Sequence, residues 1–395
     1  MDRGRWAPPE ERRRMSSGPG DVLQLIRRSE ASTRGEVQQL TGLSRMTVAQ
    51  RIDALMDAGL IVEHAGAGEA TGGRRPDRLA FHVERSVLAV AAVDTERSRT
   101  ALTDLSGRVL ATDTVEVAIT DGPTTLLDAL TASMRGLIDR AAHGRDVVGS
   151  GVSVPGPVDP RTRRPSQPPI MPGWDGFPIA EHLAQSLPVP TFVENDADAM
   201  AFGEQSTNFP DDPAVCLVKV STGIGAGLVI NGSVYHGIDG GAGDIGHIRL
   251  ADEDAICQCG SRGCLAAVAS GRAVAMQLTG SGVPAASGHD IGRLLRDGNI
   301  DALRLTHRAG MRIGEVMATV ISMINPGTLI VSGDLASAAL LGGLRETLYP
   351  HSLPRATRNL DIRLGELGAD AGLIGMARIV TDSLYSADAI NHQLA

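Results

Sequence analysis

No uninterrupted apolar run in this 395-residue sequence approaches the roughly 20 residues that a bilayer-spanning helix needs. The Arg-rich first residues also lack the apolar stretch of a secretory signal. Both absences set the expectation of a cytoplasmic protein with no membrane partner. Cysteine is scarce: four in so long a chain do not make a disulfide framework. Short-period repeats are missing too, which argues against solenoids and propellers.

What is present describes a globular chain. Hydrophobic residues make up 42% and charged residues 21%. The length suggests two or three folded units. Charge is uneven. Residues 1–85 carry 14 arginines against 12 acidic residues, whereas the remainder has a net charge of −11. A weakly basic N-terminal part on an acidic body is compatible with a small nucleic-acid reader, although a surplus of two charges decides nothing alone.

Residues 1–20, with Pro8, Pro9, Pro19 and the Arg12-Arg13-Arg14 run, are expected to form a mobile tail. Residues 21–82 show the pattern of a winged helix-turn-helix. Val22, Leu25 and Ile26 share one helical face. Thr33 and Glu36 fit a capping box opening a second helix, and Gly42 supplies the turn after it. Ser44 caps a third helix, predicted to run to about Asp57. At about 100° per residue, Val48, Ile52 and Leu55 of that helix fall in one stripe. Met46 and Gln50 lie opposite, with Thr47 beside them. These three are expected at base edges, because the N-terminal part of a recognition helix reads bases. Arg45 and Arg51 are placed for phosphates. Residues 60–63 and 78–81 read as wing strands, with Arg74 and Arg75 available to a narrow minor groove.

From about Val87 strands and helices alternate, as in an α/β body. Glu194-Asn195-Asp196 ends a strand and opens a helix, where a carboxylate faces the site crevice of such a sheet. An Asp there can take a proton from a sugar hydroxyl, and it can equally be only a helix cap. Ser221 to Gly227 is a Gly-rich stretch that either cradles phosphates or makes a tight turn. His247, Cys257, Cys259 and Cys264 form a His-x9-Cys-x-Cys-x4-Cys array, a donor set suited to a closed structural zinc site. Cys216, in an apolar strand, reads as core. Asn325-Pro326-Gly327 leads an apolar strand into the turn at Ser332-Gly333.

Taken in order, with Gly151 to Asp159, Pro172-Gly173-Trp174 and Gly240 to His247, these segments resemble the ROK family of repressors and sugar kinases over about residues 21–380. The resemblance implies a two-lobed sugar kinase/actin-like (ribonuclease H-like) α/β body over 83–395. Lobe one would be about 83–190 plus a C-terminal helix, and lobe two about 191–375. The winged head implies the repressor branch, similar to regulators of glucose, N-acetylglucosamine and xylose genes. By the same resemblance, Asn195, Asp196, Asp244 and His247 match sugar-binding positions. Asp196 matches the catalytic base, and His247 both binds zinc and touches the sugar. The family's oligomers imply a homodimer or tetramer on double-stranded DNA.

Three departures bear on activity. Family kinases carry Asp-x-Gly-Gly-Thr at the first hairpin of the body. Here it is Asp94-Thr95-Glu96-Arg97-Ser98, which lacks both glycines and puts Glu96 where phosphates need positive charge or bare amides. Arg97 is a candidate to compensate. Ala266 stands where the family has a Glu that holds hydroxyls, and Ile170 where it has Asn. Asp244 replaces the family's usual Glu. The expectation is a DNA-binding repressor that senses a sugar or sugar derivative and makes no use of ATP. Two alternatives stay open: an active ATP-dependent sugar kinase, and a ligand-independent DNA binder whose body only dimerises.

Overall fold

The computed structural model describes residues 18–65 and 77–395. The expected tail before residue 18, and Arg74 and Arg75, lie outside the described residues. Two units emerge: residues 18–86 with 381–395, and residues 87–380.

The first unit opens with α1 (Pro19–Arg27), α2 (Arg34–Thr41) and α3 (Arg45–Asp57). Strands β1 (Ile61–His64) and β2 (Arg78–Phe81) pair antiparallel as the base of a wing. Helix α1 starts two residues before the expected Asp21, because Pro19 occupies its first turn, where a missing N–H costs nothing. Thr33 caps α2 by accepting from Glu36 N at 3.2 Å. The reciprocal half of the box is displaced by one residue: Glu36 accepts from Ser32 N at 2.7 Å. Gly42 closes α2 at φ +69°, a conformation that favours glycine and turns the chain into α3. Val48, Ile52 and Leu55 are buried, as their spacing requires.

The C-terminal residues complete this unit. Helix α14 (Ala387–Gln393) packs on α1. Asn391 Oδ1 accepts from Gly20 N at 2.7 Å, satisfying an amide that the helix start leaves without an intrahelical partner. Gln24 Nε2 donates to Tyr385 O at 2.7 Å. The Tyr385 ring meets Phe81 edge-on at 5.2 Å, and the Arg27 guanidinium lies 5.2 Å from the Phe81 ring. Residues 381–395 therefore belong with the head and not with the body to which the sequence reading assigned them. The boundary falls within α13 (Ala371–Leu384).

The second unit holds two five-stranded sheets with the same plan. In one, β3 (Ser86–Ala92), β4 (Ser98–Asp104) and β5 (Val109–Val115) form an antiparallel meander, and β6 (Asp146–Val154) and β7 (Thr191–Asn195) run parallel to each other, in the order β5-β4-β3-β6-β7. In the other, β8 (Ala214–Val220), β9 (Ile224–Ile230) and β10 (Ser233–Val234) make the meander, and β11 (Thr328–Ser332) and β12 (Asp361–Leu364) complete the order β10-β9-β8-β11-β12. Here β8, β11 and β12 are parallel. Helices α4 (Pro123–Ala141) and α5 (Ile179–Ala184) cover the first sheet, with Trp174 fully buried in their core. The long α10 (Ile300–Ile324) and α11 (Ala338–Leu348) pack against each other, and their apolar residues join those of β8 and β11 in the core of the second sheet. Helix α6 (Asp196–Asn208) follows β7 and packs on β9, the shorter α7 (Leu265–Ala269), α8 (Gly271–Gly280) and α9 (Gly288–Arg296) precede α10, and α12 (Pro354–Thr357) lies between α11 and β12. This two-sheet α/β architecture is the one the sequence implied. Among the described residues no helix is long and apolar enough to cross a membrane.

Candidate functional site

The duplicated plan gives each sheet one equivalent turn, after β3 and after β8. The first spans 93–97 and the second 221–223. The two turns meet: Thr95 Oγ1 and Thr222 Oγ1 are 3.1 Å apart. They line a cavity of about 980 Å³, together with Asp196, Lys219, Asp334 and His289.

The Gly-rich stretch is shorter as a loop than its composition suggested. Gly225 and Gly227 lie inside β9, and only Ser221-Thr222-Gly223 forms the turn. A Cβ on Gly227 would stand 2.3 Å from Ala197 O, so that glycine serves the packing of α6 on the sheet. Glu96 and Arg97 both line the cavity, but the Arg97 guanidinium pairs with Glu116 at 3.0 Å. The charge of Glu96 is not compensated by its neighbour.

Asn195 ends β7 and caps α6, its Oδ1 accepting from Ala197 N at 2.9 Å and Asp198 N at 3.1 Å. Its Nδ2 donates to Gly156 O at 3.0 Å. The cap of this helix is thus Asn195, not the Asp196 for which the sequence left that role open. Asp196 points into the cavity, where its carboxylate forms an ion pair with the Lys219 ammonium. Both side chains are nearly buried, at 12% and 13% exposure. Desolvation opposes the lysine charge. The carboxylates of Asp196 and Asp94, the ion-pair hydrogen bond and Asp334 outweigh it and hold Lys219 above the ordinary lysine value. The reading of the sequence missed Lys219. A signal was available, because it is the only lysine among 37 Lys and Arg residues.

Of the four expected sugar ligands only Asp196 lines that cavity; Asn195 is half-buried and Asp244 and His247 are exposed, all three outside its wall. Asp244 precedes the one-turn helix Ile245–His247, and His247 ends it. Desolvation pushes the Asp244 carboxyl up and nearby His247 pulls it back. Gly243 O accepts from Ala226 N at 2.9 Å, which ties this segment to β9 and so to the sheet that carries α6. Ala266 lies against Gly246, and Ile170 packs on the core of the first sheet.

The four residues of the His/Cys array do converge. Their donor atoms all lie within 4.8 Å of one another. His247 Nδ1 is 3.7 Å from Cys257 Sγ, and Cys259 Sγ is 3.8 Å from Cys264 Sγ. Tetrahedral coordination with metal–sulfur bonds of about 2.3 Å puts sulfurs about 3.8 Å apart. The spacing thus fits a single metal ion. A tight turn builds it: Cys257 N donates to Ser261 O at 2.8 Å, and Gly260 N to Cys257 O at 3.0 Å. The Ser261 amide lowers the Cys259 thiol to about 6, whereas burial pushes Cys264 up to about 12. Cys216 is buried and pushed up to about 12, as a core thiol should be.

A second group, Glu194, Asp198 and His236, also lies within 4.8 Å. Its charge is met by the protein: Glu194 Oε2 is 2.9 Å from His236 Nε2 and 3.5 Å from Arg163. Burial, then Glu194, raises Asp198 well above the carboxylate range.

In the head, Ser44 Oγ accepts from Thr47 N at 3.2 Å and opens α3. Arg45, Met46 and Gln50 are exposed, Met46 at 74%. Thr47 and Arg51 are partly covered. An exposed methionine of that degree has no packing role in this unit. Asp53 is turned to Arg34 at 3.3 Å, away from the α3 N-terminus.

Comparison with known proteins agrees with this anatomy. The ROK family profile matches residues 92–383, and a winged helix-turn-helix DNA-binding profile matches residues 20–62. The chain is 26% identical over 365 residues to a xylose repressor of Bacillus spizizenii, covering 91% of this chain and 94% of that protein. It is 25% identical to the DNA-binding transcriptional dual regulator NagC of Escherichia coli, covering 94% of both. Among solved structures, a ROK family transcriptional regulator described as a homologue of the E. coli MLC protein superposes with a TM-score of 0.79, at 24% identity and over 95% of this chain and 98% of its own. A ROK glucokinase of Streptomyces griseus bound to glucose and AMPPNP matches 75% of this chain and 99% of its own, with a TM-score of 0.65 and 25% identity. This chain belongs to the ROK family.

Proposed function

We propose that this protein is a DNA-binding transcriptional repressor controlled by a sugar or sugar derivative that its body binds and does not phosphorylate. The observation that carries the reading is the union, in one chain, of a ROK body with a winged helix whose α3 leaves Arg45, Met46 and Gln50 open to solvent. Two features speak against phosphoryl transfer. Glu96 sits on the cavity wall while its neighbour Arg97 pairs with Glu116, and the Asp196 carboxylate, at the position of a catalytic base, is held by Lys219. Burial raises the Asp196 carboxyl and the Lys219 ammonium pulls it back, so the lysine opposes proton uptake there. Asn195, Asp196, Asp244 and His247 are the proposed sugar ligands. His247, Cys257, Cys259 and Cys264 hold a structural zinc that fixes the loop presenting His247. Met46, Thr47 and Gln50 read bases, with Arg45 and Arg51 on phosphates and Arg74 and Arg75 in the minor groove. A cytoplasmic homodimer or tetramer places two heads on half-sites one helical turn apart.

The test is binding of the full chain to its own upstream DNA at fixed salt, titrated with hexoses, pentoses, amino sugars and their phosphates. A ligand that binds one state better shifts the population away from or toward the operator-competent form, so an affinity change with one sugar is expected. Gln50→Ala should cost roughly 1–3 kcal/mol of discrimination at a single base position. Arg45→Ala should instead weaken binding to all sequences and lower the salt slope by about 1. Tight DNA binding indifferent to every sugar would reduce the body to a scaffold. Sugar-dependent ADP release lost in Asp196→Ala would make the protein a kinase.

A further inference from the structure

The cavity walls are rich in carboxylates. Asp94, Glu96, Asp196, Asp290 and Asp334 line it. Three of them, Asp94, Asp196 and Asp334, act on one buried ammonium, that of Lys219. They come from separate places: Asp94 follows β3, Asp196 opens α6, and Asp334 follows β11. Asp334 is fixed by its own amide, which donates to Ser221 Oγ at 3.1 Å. Asp94 is fixed by Thr95 N, which donates to its Oδ1 at 2.6 Å. Carboxylates that converge from three elements on one buried point are the arrangement that holds a divalent cation beside phosphates. Here the point is already filled by a cation of the protein's own.

The choice of residue is informative. The chain uses Arg at every other basic position, on surfaces and in ion pairs alike. A guanidinium is planar and has five donors in a fixed fork, whereas an ammonium is a compact point charge with three rotatable donors. Only the ammonium can stand in for a small spherical ion among carboxylates that approach from different sides.

We infer that Lys219 is the resident cation of the cleft, taking the place of a divalent metal ion among Asp94, Asp196 and Asp334. The Lys219 ammonium thereby offsets part of the carboxylate charge of the cleft without metal. A nucleotide would have to enter without the ion that normally bridges its phosphates to the protein. The inference deepens the reading of a non-phosphorylating body and rests on it.

Removing the charge should open a metal site. In the zinc-loaded full chain, Lys219→Met is expected to bind about one Mn²⁺ per chain at least about 100-fold more tightly than wild type, followed by the loss of the free Mn²⁺ electron-paramagnetic signal. Lys219→Arg should not gain it, and adding Asp196→Asn to Lys219→Met should remove it. Wild type binding Mn²⁺ as tightly as Lys219→Met, or a folded Lys219→Met that binds none, would overturn the inference. A measurement on the wild-type chain covers the case in which the variant does not fold. Labelling with ¹⁵N-lysine gives a single side-chain signal, because there is one lysine. Its ammonium should stay protonated above the ordinary lysine range of about 10.4 and lose that shift in Asp196→Asn. A side chain that titrates at or below the ordinary value would sink the inference. Sugar-dependent ADP release by wild type would instead sink the non-phosphorylating reading on which it rests.

Discussion

Stripping zinc from the protein, or replacing Cys264 by Ala, is expected to abolish the sugar response while the two sheets stay folded. Cys264 is fully buried, and besides the four metal donors the segment from His247 to Cys264 is held by its own turn hydrogen bonds, by Leu250 in the core of the second sheet and by Arg312, which pairs with Asp252 and Glu253. Arg249 bridges to Cys264 and Ile256 to Arg262, each as an isolated pair and not as part of a sheet. Structural zinc contributes about 10–16 kcal/mol in small zinc-dependent folds, and here that free energy would be concentrated on one loop. His247 would lose its fixed orientation, and a loss of orienting partners at metal sites typically costs about 10–100-fold in affinity. The measurement is sugar affinity by calorimetry beside limited proteolysis of residues 247–264. Acid should act in the same direction. Ligand thiols must shed protons to bind metal, and burial holds the Cys264 thiol up at about 12 in the absence of an ion, so metal affinity should fall as pH falls. An unchanged sugar affinity in the metal-free protein would show that this loop does not present a ligand.

Truncation of residues 385–395 should have the opposite pattern: DNA binding lost, sugar binding kept. The head is a small unit, and domains of that size are marginally stable. Removing Tyr385 and Ile390, both buried, takes two large side chains from its core at about 2–5 kcal/mol each. The Phe81–Tyr385 ring pair adds about 0.5–1.5 kcal/mol. The sum matches the whole stability expected of such a domain, about 0.05–0.15 kcal/mol per residue. Tyr385→Ala alone should lower the melting temperature of the head by several degrees. Retained operator affinity in the truncated chain would mean that α1 to β2 fold without their C-terminal cover.

Much of this was legible in advance because the relevant patterns are local. Ser44, Val48, Ile52 and Leu55 set α3 by capping and by 3.6-residue spacing alone. The His/Cys array announces itself by donor type and spacing within 18 positions, His247 to Cys264. What stayed hidden depends on contacts distant in sequence. Nothing near Tyr385 reveals that it covers Phe81, which precedes it by most of the chain. Lys219 reads as an ordinary residue in an apolar strand until Asp94, Asp196 and Asp334 are brought around it by three separate elements. For Gly225 and Gly227 the sequence leaves a phosphate cradle and a tight turn both open, because Gly-rich composition does not reveal whether open space or a helix lies opposite.

The long-range closure of the head also fixes when the protein can first read DNA. Gln24 and Tyr385 are 361 positions apart. At synthesis rates of about 5–20 residues per second, α1 to β2, complete at Phe81, would wait about 15–60 s for the segment that covers them. During that time the nascent head lacks part of its core. A chain that stalls or is cut within the body therefore never acquires a complete reader. Broken copies would not compete with intact ones for the operator.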